Sequence, residues 1–255
     1  MKGIQTISII GTGNVAFHLG NSFFDQGITI SSVFGRNQKE AEAFANQWKS
    51  KSVDHISELE ADLILVCVSD DAISSIIQQL PTSQKIAYTS GSIELSSFMN
   101  HENVGVFYPL QTFSKNKELN LNEVPFLIEG KTPELSQELF DLAWKLSSKV
   151  SFANSSDRKK YHLAAVWVNN FTNHLAFQSK AIIDQHELNW DYLLPLLKET
   201  TAKLLTLDPY DAQTGPARRN DQTVISAHAD MLEGIQKELY LLLSKSINDT
   251  YNTHD

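Results

Sequence analysis

Gly11 and Gly13 stand two residues apart in Ile7-Ser8-Ile9-Ile10-Gly11-Thr12-Gly13-Asn14-Val15-Ala16, a spacing suited to binding phosphate. The first glycine permits a tight turn, and the second removes a side chain where a pyrophosphate must approach the backbone. Ala16 is small enough for the following helix to pack against its strand. That helix, whose first residues include Asn14 and Val15, offers N–H groups and a partial positive charge to the phosphates. A bare G-x-G-x-x-A pattern recurs by chance. Here an apolar run precedes it and a helical segment follows, the context that gives the pattern meaning. The competing reading is an ordinary strand-to-helix turn.

The cofactor's second contact is expected about twenty residues on, where an NAD site places an acid against the ribose 2′-hydroxyl. This chain has Val33-Phe34-Gly35-Arg36-Asn37 there instead. The Arg36 guanidinium can pair a 2′-phosphate through two hydrogen bonds, with Asn37 as a further donor. The residues therefore point to NADP(H), against the simpler reading of a solvated arginine at a strand end. Val66-Cys67-Val68-Ser69-Asp70 leaves a later strand. Ser69 or Asp70 is a natural helix N-cap, and Val68, Ser69 and Asp70 are also placed to border the nicotinamide ribose at the strand's carboxyl end. Ser90, in Tyr88-Thr89-Ser90-Gly91-Ser92, is suited to a close approach by cofactor or substrate, or to a plain turn.

Hydride transfer to a carbonyl or imine needs a proton donor, and histidine is the commonest. On one predicted helix His162, Asn169 and Asn173 fall at i, i+7 and i+11, with Asn170 a step to the side. His162 and Asn170 stand about 12 Å apart along a helix, so they can flank a substrate but not touch each other. His162 is thus a candidate general acid and Asn170 a candidate ligand of substrate or nicotinamide. The alternatives are a hydrogen-bonded histidine at a helix start and an interface residue. Further on, Gly215-Pro216-Ala217-Arg218-Arg219-Asn220-Asp221 offers two arginines for a substrate carboxylate, while Asn220 or Asp221 makes a good N-cap.

These residues need a scaffold, and the hydrophobic periodicity supplies two different halves. Up to about residue 150, short apolar runs alternate with helical segments, the pattern of a doubly wound parallel α/β sheet. Strands are expected near 5–10, 30–34, 63–68, 85–89, 104–108, 125–129 and 149–153, and helices over 13–26, 38–49, 70–79 and 133–147. Beyond Asp157 the strands stop. Long helices are expected over 161–186, 189–206 and 219–247, with Pro195 early in the second or kinking it. The last eight residues read as a frayed tail. The expected domains are 1–154 and 155–255.

The composition narrows the class. A chain of 255 residues with 42% hydrophobic and 20% charged residues has ample material for a core. A formal net charge of −9 argues against nucleic acid as partner. Cys67, the single cysteine, lies in an apolar run and reads as a small core residue, so neither an internal disulfide nor a thiolate metal cluster is expected. The start reads straight into a strand and no apolar run approaches a membrane span. A cytoplasmic protein with no membrane partner and no metal is the expectation.

The nucleotide half resembles the superfamily of pyrroline-5-carboxylate reductase, ketopantoate reductase, β-hydroxyacid dehydrogenases and deazaflavin-dependent NADP reductases. Three stretches narrow the likeness: Gly105-Val106-Phe107-Tyr108-Pro109-Leu110-Gln111-Thr112-Phe113, Tyr161-His162-Leu163-Ala164-Ala165 leading to Asn170, and Thr214-Gly215-Pro216-Ala217-Arg218-Arg219-Asn220-Asp221. Together they resemble a bacterial family of NADP oxidoreductases in which a Rossmann-type sheet domain is joined to an all-α domain of unassigned function. The resemblance implies NADP as cofactor and a homodimer formed through the helical half. It also implies catalytic or substrate-binding roles for Tyr108, Gln111 and Arg219. The family usually has His where this chain has Tyr108, which leaves a phenol to donate in its place. The Lys and Asn four residues apart of the β-hydroxyacid dehydrogenases is missing, since Leu163 and Ala164 follow Lys159 and Lys160 at that spacing. The Ser-Pro-Gly-Gly-Thr-like loop of pyrroline-5-carboxylate reductases is missing too. The expected activity is hydride transfer between NADP(H) and a small carbonyl, imine or hydroxy compound, with a carboxylate suggested by Arg218 and Arg219. A non-catalytic NADP(H) sensor and a reductase acting on a flavin or deazaflavin are the alternatives.

Overall fold

The computed structural model describes residues 3–252 and divides the chain into two compact units, 1–171 and 172–255. The expected boundary at 154/155 coincides with the start of a helix at Ser155 that stays within the first unit.

The first unit is an eight-stranded sheet: β1 (Thr6–Ile10), β2 (Thr29–Phe34), β3 (Lys51–Ser52), β4 (Leu63–Val66), β5 (Ile86–Tyr88), β6 (Val104–Pro109), β7 (Phe126–Gly130) and β8 (Val150–Phe152). Their spatial order is β3-β2-β1-β4-β5-β6-β7-β8. Seven strands lie where the apolar runs predict. The two-residue β3 carries no apolar run and escapes sequence reading. All pairs are parallel except β6 with β7, which departs from the all-parallel expectation. The physical reason is the connection. A parallel return needs a crossover, usually helical, whereas residues 110–125 hold only a short 3₁₀ turn at Leu121–Glu123.

Helices cover both faces, which explains why β4 and β6 are buried along their whole length. Against one face pack α1 (Asn14–Asp25), α2 (Gln38–Gln47) and α4 (Pro133–Trp144), through Leu19, Phe23, Phe44, Leu135 and Leu139 among others. Against the other packs α3 (Asp70–Ile77), through Ile73 and Ile77, with Leu95 and Phe98 beside it. Close approach is selected at Gly20, where a Cβ would lie 2.2 Å from the Trp48 ring. Cys67 packs in the first of these cores, as its apolar neighbours predict, and burial pushes its thiol up to about 12.

The first unit ends with α5 (Ser155–Ala165), starting six residues before the expected helix, and a π-helical stretch over Val166–Phe171. The second unit holds α6 (Thr172–Gln185), α7 (Leu194–Leu204), α8 (Pro209–Ala212), α9 (Gln222–Asp230) and α10 (Gly234–Asn252). Pro195 sits in the first turn of α7, where its missing N–H costs nothing. The third expected helix is broken in two, and Gly234 at the break has φ +52. The expected frayed tail is helical as far as Asn252, tied by Asn248 Nδ2 to Asn220 Oδ1 (2.6 Å) and Tyr251 Oη to the Tyr210 carbonyl (2.6 Å). Residues 253–255 lie outside the described residues. Among the described residues, no helix is long and apolar enough to cross a membrane.

Candidate functional site

The carboxyl ends of β1, β2, β4, β5 and β6 open onto a cavity of about 940 Å³, the edge of an open α/β sheet where ligands bind. Its wall is made entirely by the first unit.

The Gly11–Gly13 turn forms the centre of that wall. Gly11 has φ +118, and a Cβ there would meet the Cys67 carbonyl oxygen at 2.2 Å, so only glycine fits. At Gly13 a Cβ would meet nothing within 4 Å, although the residue lines the cavity. The first glycine is thus required by the protein itself. The second leaves open space where a ligand would lie. Gly13 is the N-cap of α1, so Asn14 and Val15 present the helix N-terminus to the cavity, while Ala16 is fully buried beneath it. This is the arrangement that accepts a pyrophosphate.

Arg36 and Asn37 line the wall at the exit of β2. The structure adds Glu40, from the first turn of α2, whose carboxylate accepts the Thr12 hydroxyl at 2.8 Å and Asn37 Nδ2 at 3.3 Å. It also adds Lys115, carried on the segment following β6. Asn14 Nδ2 donates to the Phe113 carbonyl (2.9 Å), and His18 Nε2 lies 2.9 Å from the Ser114 carbonyl, so α1 anchors that segment. Neither Glu40 nor Lys115 was singled out from the sequence. Nothing local foretells Lys115, because the contacts that place it join residues 96 and 99 positions apart.

At the other end the cavity is lined by Val68, Ser69, Asp70, Thr89, Gln111, Asn169 and Asn170. Ser69 is the N-cap of α3 by position but makes no side-chain cap bond. Asp70 accepts the Ser92 hydroxyl. Ser90 is buried and does not reach the cavity; its hydroxyl accepts the Ser92 and Ile93 N–H groups at 3.1 Å each and shapes the turn. The π-helical turns alter the expected helical face. Wider i→i+5 turns rephase the chain, and π-bulges gather at functional sites. Asn169 and Asn170, neighbours in sequence, both line the cavity, and Asn169 Nδ2 donates to Asn170 Oδ1 at 3.3 Å.

Tyr108 and His162 do not line the cavity but come together behind Gly91, with Tyr108 Oη 3.0 Å from His162 Nδ1 and the rings edge-on. Both press on Gly91, where a Cβ would lie 2.7 Å from His162 Nδ1 and 2.8 Å from Tyr108 Cζ. Burial pushes the Tyr108 phenol up to about 12, and the Asp70 carboxylate pushes the same way. The phenol therefore stays protonated at neutral pH. His162 is held by its helix: one turn earlier the fully buried Arg158 pairs with Glu129 on β7 and donates to the Ile93 carbonyl. Glu129 also accepts Ser155 N (3.0 Å) and Ser155 Oγ (2.8 Å).

The expected arginine pair lies in the second unit. Arg218 donates to the Asp211 carbonyl at 3.3 Å and to the Gln213 carbonyl, and stacks 4.9 Å from the Tyr251 ring centroid. Arg219 is exposed. Asp221 caps α9 by accepting Val224 N at 3.2 Å, so the structural reading holds for that residue.

A doubly wound sheet with a glycine turn at the carboxyl ends of its strands, followed by a helical second part, defines a dinucleotide-binding class. Comparison with known proteins agrees. Residues 6–88 match the family described as NADP oxidoreductase, coenzyme F420-dependent, and residues 124–247 match a domain of unknown function, DUF2520. The putative NADP oxidoreductase BF3122 of Bacteroides fragilis is 35% identical, covering 96% of this chain and 98% of that one, with a TM-score of 0.88. A protein of Thermotoga maritima is 22% identical (97% and 98% covered, TM-score 0.72). An imine reductase of Myxococcus stipitatus in complex with NADP+ is 14% identical (97% and 93% covered, TM-score 0.70). The last two show the shared fold. No curated protein matches the chain. The chain belongs to the NADP oxidoreductase family represented by the Bacteroides protein, and NADP is its cofactor.

Proposed function

We propose that the protein moves a hydride between NADP(H) and a small carbonyl, imine or hydroxy compound, with Tyr108 and His162 holding the proton that accompanies it. The observation that carries this reading is the 3.0 Å contact of Tyr108 Oη with His162 Nδ1, outside the cavity lining but near enough to Asp70, which lines it, for that carboxylate to push the phenol up. NADP(H), when bound, supplies or accepts the hydride at the nicotinamide.

The remaining work belongs to the chain. Gly11, Gly13, Asn14 and Val15 receive the pyrophosphate, and Ala16 lets α1 approach closely enough to present its N–H groups. Arg36 and Asn37 take the adenosine ribose and its phosphate. Val68, Ser69 and Asp70 border the nicotinamide ribose, with Ser90 shaping the turn beside them. Gln111 and Asn170 line the cavity and orient the substrate through their amides. Because the phenol is held at about 12, Tyr108 is a neutral hydroxyl at neutral pH rather than an anion. In the imidazolium form of His162, Nδ1–H donates to the Tyr108 oxygen and Nε2–H passes its proton to the substrate, leaving a neutral imidazole with its remaining proton on Nδ1. A pure NADP(H) sensor needs no such pair. Of the two arginines expected to meet a substrate carboxylate, Arg218 is already engaged with two carbonyls and Tyr251, and Arg219 is exposed.

We further infer a homodimer formed through the helical part. Leu205 (87% exposed) and Tyr192 (81% exposed) head the second unit's long series of exposed apolar side chains, including Phe177, Leu196 and Leu242. Among the described residues of the second unit, only Ala217, Ile225 and Ala229 are buried apolar side chains. An apolar surface of that kind marks an interface, and closed pairs are the commonest assembly.

The test follows NADPH absorbance over a panel of small keto acids, aldehydes and cyclic imines. At least one class is expected to be reduced, and His162→Gln should lower kcat about 100-fold or more while leaving NADPH affinity within a few-fold. Tight NADPH binding with no turnover across the panel would move the protein to the sensor reading. Unchanged kcat in His162→Gln would remove His162 from the proton path.

A further inference from the structure

The corner of the cavity at the β2 exit holds charges of both signs. Arg36 and Glu40 both line it, and the Glu40 carboxylate is fastened there by Thr12 Oγ1 (2.8 Å) and Asn37 Nδ2 (3.3 Å). On their own these two formal charges cancel. Such a corner gives little preference for a 2′-phosphate, a group carrying well over one negative charge, above a bare ribose hydroxyl. A second cation is needed to make the corner positive.

Lys115 is that cation by placement. The segment following β6 is fastened over α1 by the bonds from Asn14 and His18, each 2.9 Å. Two residues past the first anchor, Lys115 lines the cavity with its Nζ 5.0 Å from the Phe44 ring centroid. Phe44 lies one helical turn along α2 from Glu40, so the ammonium stands on the α2 side of the cavity rather than over the Gly13 turn. With it, the formal charge of the corner becomes +1.

We propose that Lys115 binds the 2′-phosphate of NADP(H) beside Arg36, and that Glu40 opposes both, so that these three side chains together set the preference for NADPH over NADH. The proposal rests on the reading that this cavity holds NADP(H). It explains why a carboxylate in the nucleotide site is compatible with an NADP-dependent protein.

Calorimetric titration of the full chain with adenosine 2′,5′-bisphosphate and with AMP tests it without any turnover. The two probes differ only in the 2′-phosphate. Lys115→Ala is expected to weaken the bisphosphate about tenfold and AMP less than twofold, and Glu40→Gln to tighten the bisphosphate severalfold with AMP unchanged. Lys117→Ala, an exposed lysine two residues on and outside the cavity wall, should alter neither. Melting temperatures of the unliganded variants should match wild type, since Lys115 and Glu40 are exposed. Equal weakening of both probes by Lys115→Ala assigns the ammonium to the 5′-phosphate and overturns the proposal, as does no weakening of either. Failure of wild type to bind either probe overturns the cavity reading itself, and this proposal with it.

Discussion

At residue scale the two glycines of the phosphate turn separate structure from function. A Cβ at Gly11 collides with the Cys67 carbonyl at 2.2 Å and would sit at φ +118, whereas one at Gly13 meets only open cavity. Gly11→Ala should therefore destabilise the fold by about 2 kcal/mol or more. Gly13→Ala should leave the denaturation midpoint unchanged or slightly raised and weaken NADPH at least tenfold. Equal loss of stability in both variants, measured by denaturant titration, would contradict this division. The placement of both glycines, Arg36 and Asn37 was readable because it is local: a turn, a strand exit, a spacing of about twenty residues. That of Glu40 and Lys115 was not. Glu40 matters because Thr12, twenty-eight positions away, holds it, and Lys115 because Asn14 and His18 anchor a distant segment. Tyr108 and His162 were each singled out, but their contact spans 54 residues and required the fold.

At the scale of elements, apolar periodicity located the seven longer strands and the first four helices within a few residues, since core burial imposes it. It missed what departs from regular period. The reversal between β6 and β7 follows from a connection without a crossover helix. The π-helical turns at Val166–Phe171 bring Asn169 and Asn170 to one wall by changing the period that a helical-wheel argument assumes. The element that carries His162 is fixed by Arg158, fully buried, against Glu129. Glu129→Ala leaves that guanidinium without its counter-ion and should cost about 3 kcal/mol. Lys85→Ala, which removes a more exposed partner of Glu138, should cost less than about 1 kcal/mol. Comparable losses from the two, read from chemical denaturation, would mean that the Arg158 pair is not what holds α5.

For the whole molecule, composition foretold an acidic chain with material for a core, periodicity a sheet half and a helical half, and the resemblance its family. Sequence periodicity could not show how little of the helical part's apolar surface its own unit covers, because exposure depends on packing. A dimeric mass at micromolar concentration is the expected result of light scattering after size exclusion. A stable monomer would contradict the assembly we infer. The account as a whole stands on the cavity at the strand ends being an NADP(H) site with Arg36 at the 2′-phosphate. Its most direct test is fluorescence titration of wild type and Arg36→Ala with NADPH and with NADH. The account predicts that wild type prefers NADPH and that Arg36→Ala weakens NADPH about tenfold or more with little change for NADH. Absence of binding, a wild-type preference for NADH, or equal weakening of both nucleotides would contradict it.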